Sequence, residues 1–106
     1  MKVSGTIQDF HGMILARFFN ATESYGAVVA DCEILAMPES ARVLFRELER
    51  RVESQLLKTI HEIEMQIEKL NLNVVWDDED QKCRVWSVQF LRGGVSFRLA
   101  PFPAEP

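Results

Sequence analysis

From Pro38 to Leu72 the chain contains no glycine and no second proline, and its apolar residues return at steps of three and four. Phe45, Leu48, Val52, Leu56, Ile60, Ile63, Ile67 and Leu70 fall into one stripe at ~100° per residue, the pattern of an amphipathic helix. Pro38 suits a first helical turn, where its missing N–H would have had no partner, and Asn71-Leu72-Asn73 provides a stop. The spacing predicts one helix over about 38–72, roughly 50 Å long at ~1.5 Å per residue. A folded chain of 106 residues has a radius of gyration of only about 13 Å. Part of the stripe is therefore expected to need a partner beyond this chain's own core.

After the helix the period changes to two. Leu72, Val74 and Trp76 alternate with smaller or polar residues, as do Trp86, Val88 and Phe90, and then Val95, Phe97 and Leu99. A charged run, Asp77-Asp78-Glu79-Asp80-Gln81-Lys82, separates the first two segments. Gly93-Gly94 separates the last two and can supply the positive φ of a tight hairpin. Centring the turn on the glycines pairs Arg92 with Val95, Phe90 with Phe97 and Val88 with Leu99. The C-terminal part reads as a three-stranded antiparallel meander.

In the N-terminal part, residues 25–36 read as a strand with Val28, Ala30, Cys32 and Ile34 on one face. Residues 6–19 carry two patterns. Ile7, Phe10, Ile14 and Phe18 have helical spacing behind a Thr6…Asp9 capping signal, while Met13, Leu15 and Phe19 alternate as in a strand. Gly5 and Gly12 tip the balance to strand, with residues 20–24 as the turn of a hairpin. The expected fold is α+β: a two-layer sandwich whose antiparallel sheet, an N-terminal hairpin plus the meander, is crossed by one long helix. A single domain over 1–102 is followed by a short proline-rich tail, 103–106.

Composition removes several classes. A chain 47% hydrophobic and 26% charged can form a core, which argues against intrinsic disorder. A net charge of −4 offers no global attraction to nucleic acid, and Arg42, Arg46, Arg50 and Arg51 are interleaved with Glu39, Glu47, Glu49 and Glu53. No apolar run reaches the ~20 residues of a membrane span. The N-terminal residues lack an uninterrupted apolar segment, so the expectation is a cytoplasmic protein with reduced Cys32 and Cys83.

Candidates for chemistry are sparse. The cysteines are not in a CxxC, and with His11 and His61 they show none of the paired spacings of a zinc site. The acidic run 77–80 lacks the alternation and the central glycine of a calcium loop. Neither a metal nor another cofactor is expected. His11 beside Asp9, and Cys32 between Asp31 and Glu33, resemble base and nucleophile pairs, but adjacent acids raise a thiol pKa, the wrong direction for attack. With Tyr25, His11 and Cys32 form the weaker expectation of a ligand-binding pocket or enzyme site between helix and sheet.

The order of charge along the helix carries the stronger expectation. On one flank of the predicted helix, Arg42, Arg46 and Arg50 come first and Glu64 and Glu68 later, which opposes the helix macrodipole. Arg50 with Glu64, and Arg46 with Glu68, share a midpoint at Leu57. A two-fold axis there would pair each arginine with a glutamate of a second copy. The expected interface is Arg46, Arg50, Leu57, His61, Glu64 and Glu68. The functional expectation is a non-catalytic protein-interaction or regulatory module acting as a homodimer, with a protein partner.

Overall fold

The apolar stripe does not form one rod. In the computed structural model, which describes residues 3–55, 57–79 and 81–100, it is divided into α1, Glu39–Glu53, and α2, Leu57–Glu68. Ser54 closes α1 in a helical conformation, and Gln55 follows at φ 57°, which turns the chain out of the helix. The expectation of a single helix over 38–72 fails for a reason its own length contains. The radius of gyration is 13.3 Å, and a rod of roughly 50 Å would leave half of its stripe uncovered. Folding back buries Ala41, Phe45 and Leu48 of α1 in the same core as Ile63 and Ile67 of α2. A non-glycine residue at positive φ costs about 1–3 kcal/mol, while each large apolar side chain buried contributes about 1.5–3 kcal/mol. The partner that the stripe needed is therefore its own second half, and the two helices pack on each other.

The strands form one antiparallel sheet of seven. In chain order they are β1 (Gly5–Gln8), β2 (Ile14–Ser24), β3 (Ala27–Ile34), β4 (Asn73–Trp76), β5 (Lys82–Arg84), β6 (Trp86–Leu91) and β7 (Gly94–Arg98). Their spatial order is β5-β4-β1-β2-β3-β7-β6. The expected C-terminal meander is thus split: β4 and β5 pair on the β1 side, while β6 and β7 pair on the β3 side.

The sheet is a curled half-barrel, and not the flat layer of the expected sandwich. Phe18 on β2, Trp76 on β4 and Phe97 on β7 form one aromatic cluster, with ring centroids 5.2 Å (Phe18 to Trp76), 5.5 Å (Phe18 to Phe97) and 6.4 Å (Trp76 to Phe97) apart. Strands β4 and β7 are four steps apart in the sheet, about 19 Å if it were flat at ~4.8 Å per strand. Only strong curvature brings their side chains together. The connection confirms it, because β5 and β6 lie at opposite edges yet are joined by Val85 alone, a link that spans about 7 Å. Gly5 permits the bend: a Cβ there would fall 2.4 Å from the Val75 carbonyl oxygen and 3.0 Å from the Phe18 ring.

Three turns differ from expectation. Residues 6–19 are two strands separated by a turn over 9–12, in which Asp9 Oδ1 accepts from the amides of His11 and Met13 at 2.9 Å and Gly12 takes φ +83°. The acid read as a helix signal caps a β-turn instead. The β2–β3 turn is Tyr25-Gly26, both at positive φ, and not residues 20–24. Asn20, at φ 57°, absorbs a register shift between Phe19 and Thr22. The β6–β7 turn is Arg92-Gly93, so Phe90 faces Val95 and not Phe97. That shift of two positions keeps every side chain on its expected face.

The helices sit on β6, where Phe45 of α1 meets Phe90 edge to face at 4.7 Å. Arg84 of β5 donates to the Glu68 carbonyl at 3.0 Å and to Asn71 Oδ1 at 2.6 Å, closing the end of α2. No helix among the described residues is long and apolar enough to cross a membrane. The tail 103–106 lies outside the described residues.

Candidate functional site

A face of α1 repeats at three and four residues, so Arg42, Phe45, Arg46 and Glu49 lie along one side of it. Opposite stand Phe90 and Leu91 at the end of β6, Arg92 in the turn that follows, Ile34 at the end of β3, and Met37 in the segment leading to α1. Together these residues line a cleft of about 350 Å³. Its floor is apolar, with Met37, Phe45 and Phe90 buried. Its rim carries three arginines and one glutamate, a local excess of positive charge on a chain whose net charge is −4.

The arginines are held differently. Arg42 Nε donates to the Met37 carbonyl at 3.1 Å, which fixes the root of the guanidinium and leaves its four Nη hydrogens outside that bond. Arg46 lies 3.7 Å from Glu39, a contact exposed on both sides and weak for that reason. Arg92 makes no ion pair with a described residue. The cleft therefore presents cationic donors whose charge is only partly satisfied from within the fold.

The expected ligand residues do not converge. His11 lies in the β1–β2 turn, exposed, with its ring edge on Phe10 at 5.4 Å. Tyr25 is 99% exposed at the β2–β3 turn, the far end of an eleven-residue strand and so about 36 Å away. Cys32 is half-buried on the core face of β3, where burial first and Asp31 second push its thiol pKa up. No group of three or more potential metal ligands is present among the described residues.

The expected interface residues are divided by the helix break. Arg46 and Arg50 are on α1, and His61, Glu64 and Glu68 are on α2. A single projection no longer places them on one flank. Leu57 opens α2; its side chain lies outside the described residues. Arg50 pairs with Glu47 on its own helix. Glu64 is partly desolvated, and burial raises its pKa against the opposing effect of His61, with Glu68 adding to the rise.

The four arginines of α1 thus form two functional groups and not one basic face. Arg42 and Arg46 face the cleft, while Arg50 and Arg51 grip Glu47. Arg51 also donates to the Thr59 carbonyl at 2.9 Å, so Glu47, Arg51 and Thr59 staple α2 to α1 beside the break. Hydrogen bonds from Arg50 and Arg51 lower the Glu47 pKa from its ordinary 4.5 to about 2. A depressed carboxylate pKa contributes stability that is complete above 4.5 and is lost as pH falls through the folded value. Circular dichroism between pH 5 and about 2 is expected to show acid loss of helical packing that Glu47→Gln reduces in part, because that variant lacks this titrating group while Asp77, held below its ordinary value by Ser4 and Arg17, still titrates.

The cleft residues Ile34, Met37, Glu49, Leu91 and Arg92 carry no signal as a set in the sequence. Arg42 and Arg46 flanking Phe45 are visible there as a helical pair, but Arg92 joins them only through the β6–β7 and β3–β7 pairings. No protein-family model matches this chain, and comparison with curated proteins and with solved structures finds no match.

Proposed function

We propose that this chain is a non-catalytic interaction or regulatory module that works as a homodimer, with one end of the half-barrel as its contact surface. The distribution of exposed apolar side chains supports this reading. Thirteen large apolar side chains are exposed among the described residues, and six of them, Phe10, Met13, Ile14, Ile34, Leu35 and Leu91, lie at the end of the sheet that holds the β1–β2 and β6–β7 turns. The pairings of Gln8 with Ile14, of Ala16 with Ile34 and of Leu91 with Gly94 bring their strand ends to that end. Single exposed apolar residues are ordinary; their concentration at one end supports a contact surface there. A second copy presents the same apolar surface, so a two-fold contact would be self-complementary.

Light scattering over a concentration series checks this. The wild-type chain is expected to be a dimer at high micromolar concentration, and Leu35→Glu and Met13→Glu are each expected to shift it to monomer with the fold intact. A wild-type monomer under those conditions, or folded variants that dimerise as before, would contradict the proposal.

A further inference from the structure

We propose that the cleft between α1 and β6 binds a small amphipathic organic carboxylate, its apolar chain against Phe45, Phe90 and Leu91 and its carboxylate among Arg42, Arg46 and Arg92. The observations behind it are separate from those for the dimer, although Ile34 and Leu91 belong to both surfaces. The assignment rests on the match between the cleft's size, floor and rim.

The volume of about 350 Å³ is at the lower end of the ~300–1,000 Å³ of small-molecule sites. At ~30 Å³ for each water-sized group it holds about a dozen. That accommodates the bulk of a medium-chain acid. Phe45 and Phe90 make the floor rigid, since their rings already meet edge to face at 4.7 Å. An apolar chain laid on them loses water without displacing any hydrogen bond of the fold.

The rim selects the sign of the head group. Arg42 and Arg46 are one helical turn apart on α1, and Arg92 approaches from the β6–β7 turn, so guanidinium groups come from both walls. Guanidinium forks suit a carboxylate, whose two oxygens accept paired N–H groups. Glu49 lies one turn beyond Arg46 on the same wall. The cleft is therefore polarised along α1, cationic toward Arg42 and anionic toward Glu49, and the ligand's carboxylate belongs at the arginine end.

Amide NMR titration with octanoate, octanol and octylamine at neutral pH separates the parts of this inference. Octanoate is expected to perturb Ile34, Phe90, Leu91 and Arg92 saturably and to bind at least tenfold more tightly than octanol, with octylamine weaker still. Arg92→Gln and Arg46→Gln, each checked for an intact amide spectrum, are expected to weaken octanoate about five- to tenfold and to leave octanol unchanged. Glu49→Gln is expected to tighten octanoate. Equal binding of all three probes in the cleft would overturn the carboxylate assignment, as would octanoate affinity indifferent to the arginines. Perturbations confined to other surfaces would overturn the site itself. Because Ile34 and Leu91 also belong to the proposed contact surface, the titration is repeated on Met13→Glu, where octanoate is expected to bind at least as tightly as to the wild type; the dimer itself is read by light scattering.

Discussion

Phe18→Ala is expected to remove about 3–5 kcal/mol of stability, among the largest losses of any single truncation of a described residue. Phe18 is fully buried on β2 and touches both Trp76 of β4 and Phe97 of β7. It occupies the centre of the concave face, so its ring is what the two arms of the curled sheet close upon. Its edge-to-face contacts, at interplanar angles of 87° with Trp76 and 68° with Phe97, each add about 0.5–1.5 kcal/mol beyond the area they bury. The cavity left by alanine cannot collapse easily, because β1 and β3 hold β2 by backbone pairing on both sides. A domain of this size is stable by about 5–15 kcal/mol, so the variant gives up a large share of the total. Urea titration followed by tryptophan fluorescence measures the loss directly, since Trp76 belongs to the cluster. A loss under about 1 kcal/mol would mean that the arms of the sheet do not close on this ring.

The strands were legible in the sequence where one face is buried. Alternation at Val28, Ala30 and Cys32, at Val74 and Trp76, and at Val95 and Phe97 follows from a sheet with a single core face, and the structure buries or half-buries each of these residues. Strand β5 was not legible, because Lys82-Cys83-Arg84 is short, mostly polar and at an edge. Curvature has no periodic signature at all. It depends on Gly5, whose lack of a side chain reads from sequence only as a weak strand residue, and on which strands pair, which local pattern does not specify. The turn positions were lost for a related reason. Asn20 and Gly26 both favour positive φ and both adopt it, but Asn20 sits at a bulge within the β2–β3 pairing, while the reversal falls on Tyr25-Gly26.

The candidate site was legible only by half. The helical pair Arg42 and Arg46 follows from spacing, but the opposite wall, Phe90 to Arg92, reaches α1 only because the half-barrel presents β6 at its edge and the helices pack there. In sequence, the mirror arrangement of arginines and glutamates about Leu57 predicts two-fold symmetry between copies. The break beside that position separates the arginines from the glutamates onto two helices; Arg46 and Arg50 make their ion pairs within α1, with Glu39 and Glu47, and the bond across the break is that of Arg51 to the Thr59 carbonyl.

That doubling back is the point on which the rest depends. Ser54 and Gln55 are neither glycine nor proline, so nothing local stops the helix; the limited reach of the core does. If the stripe were continuous, α2 could not share the core with α1 and the staple of Glu47, Arg51 and Thr59 could not form. Spin labels at Val43→Cys and Met65→Cys, both on half-exposed helical positions, with Cys32 and Cys83 replaced by alanine, test it by pulsed dipolar spectroscopy. Helices packed side by side at about 8–10 Å predict a distance distribution centred below roughly 25 Å. A distribution centred at or beyond the roughly 33 Å that separates these positions along an unbroken helix at ~1.5 Å per residue would contradict the folded-back helices and the core they share.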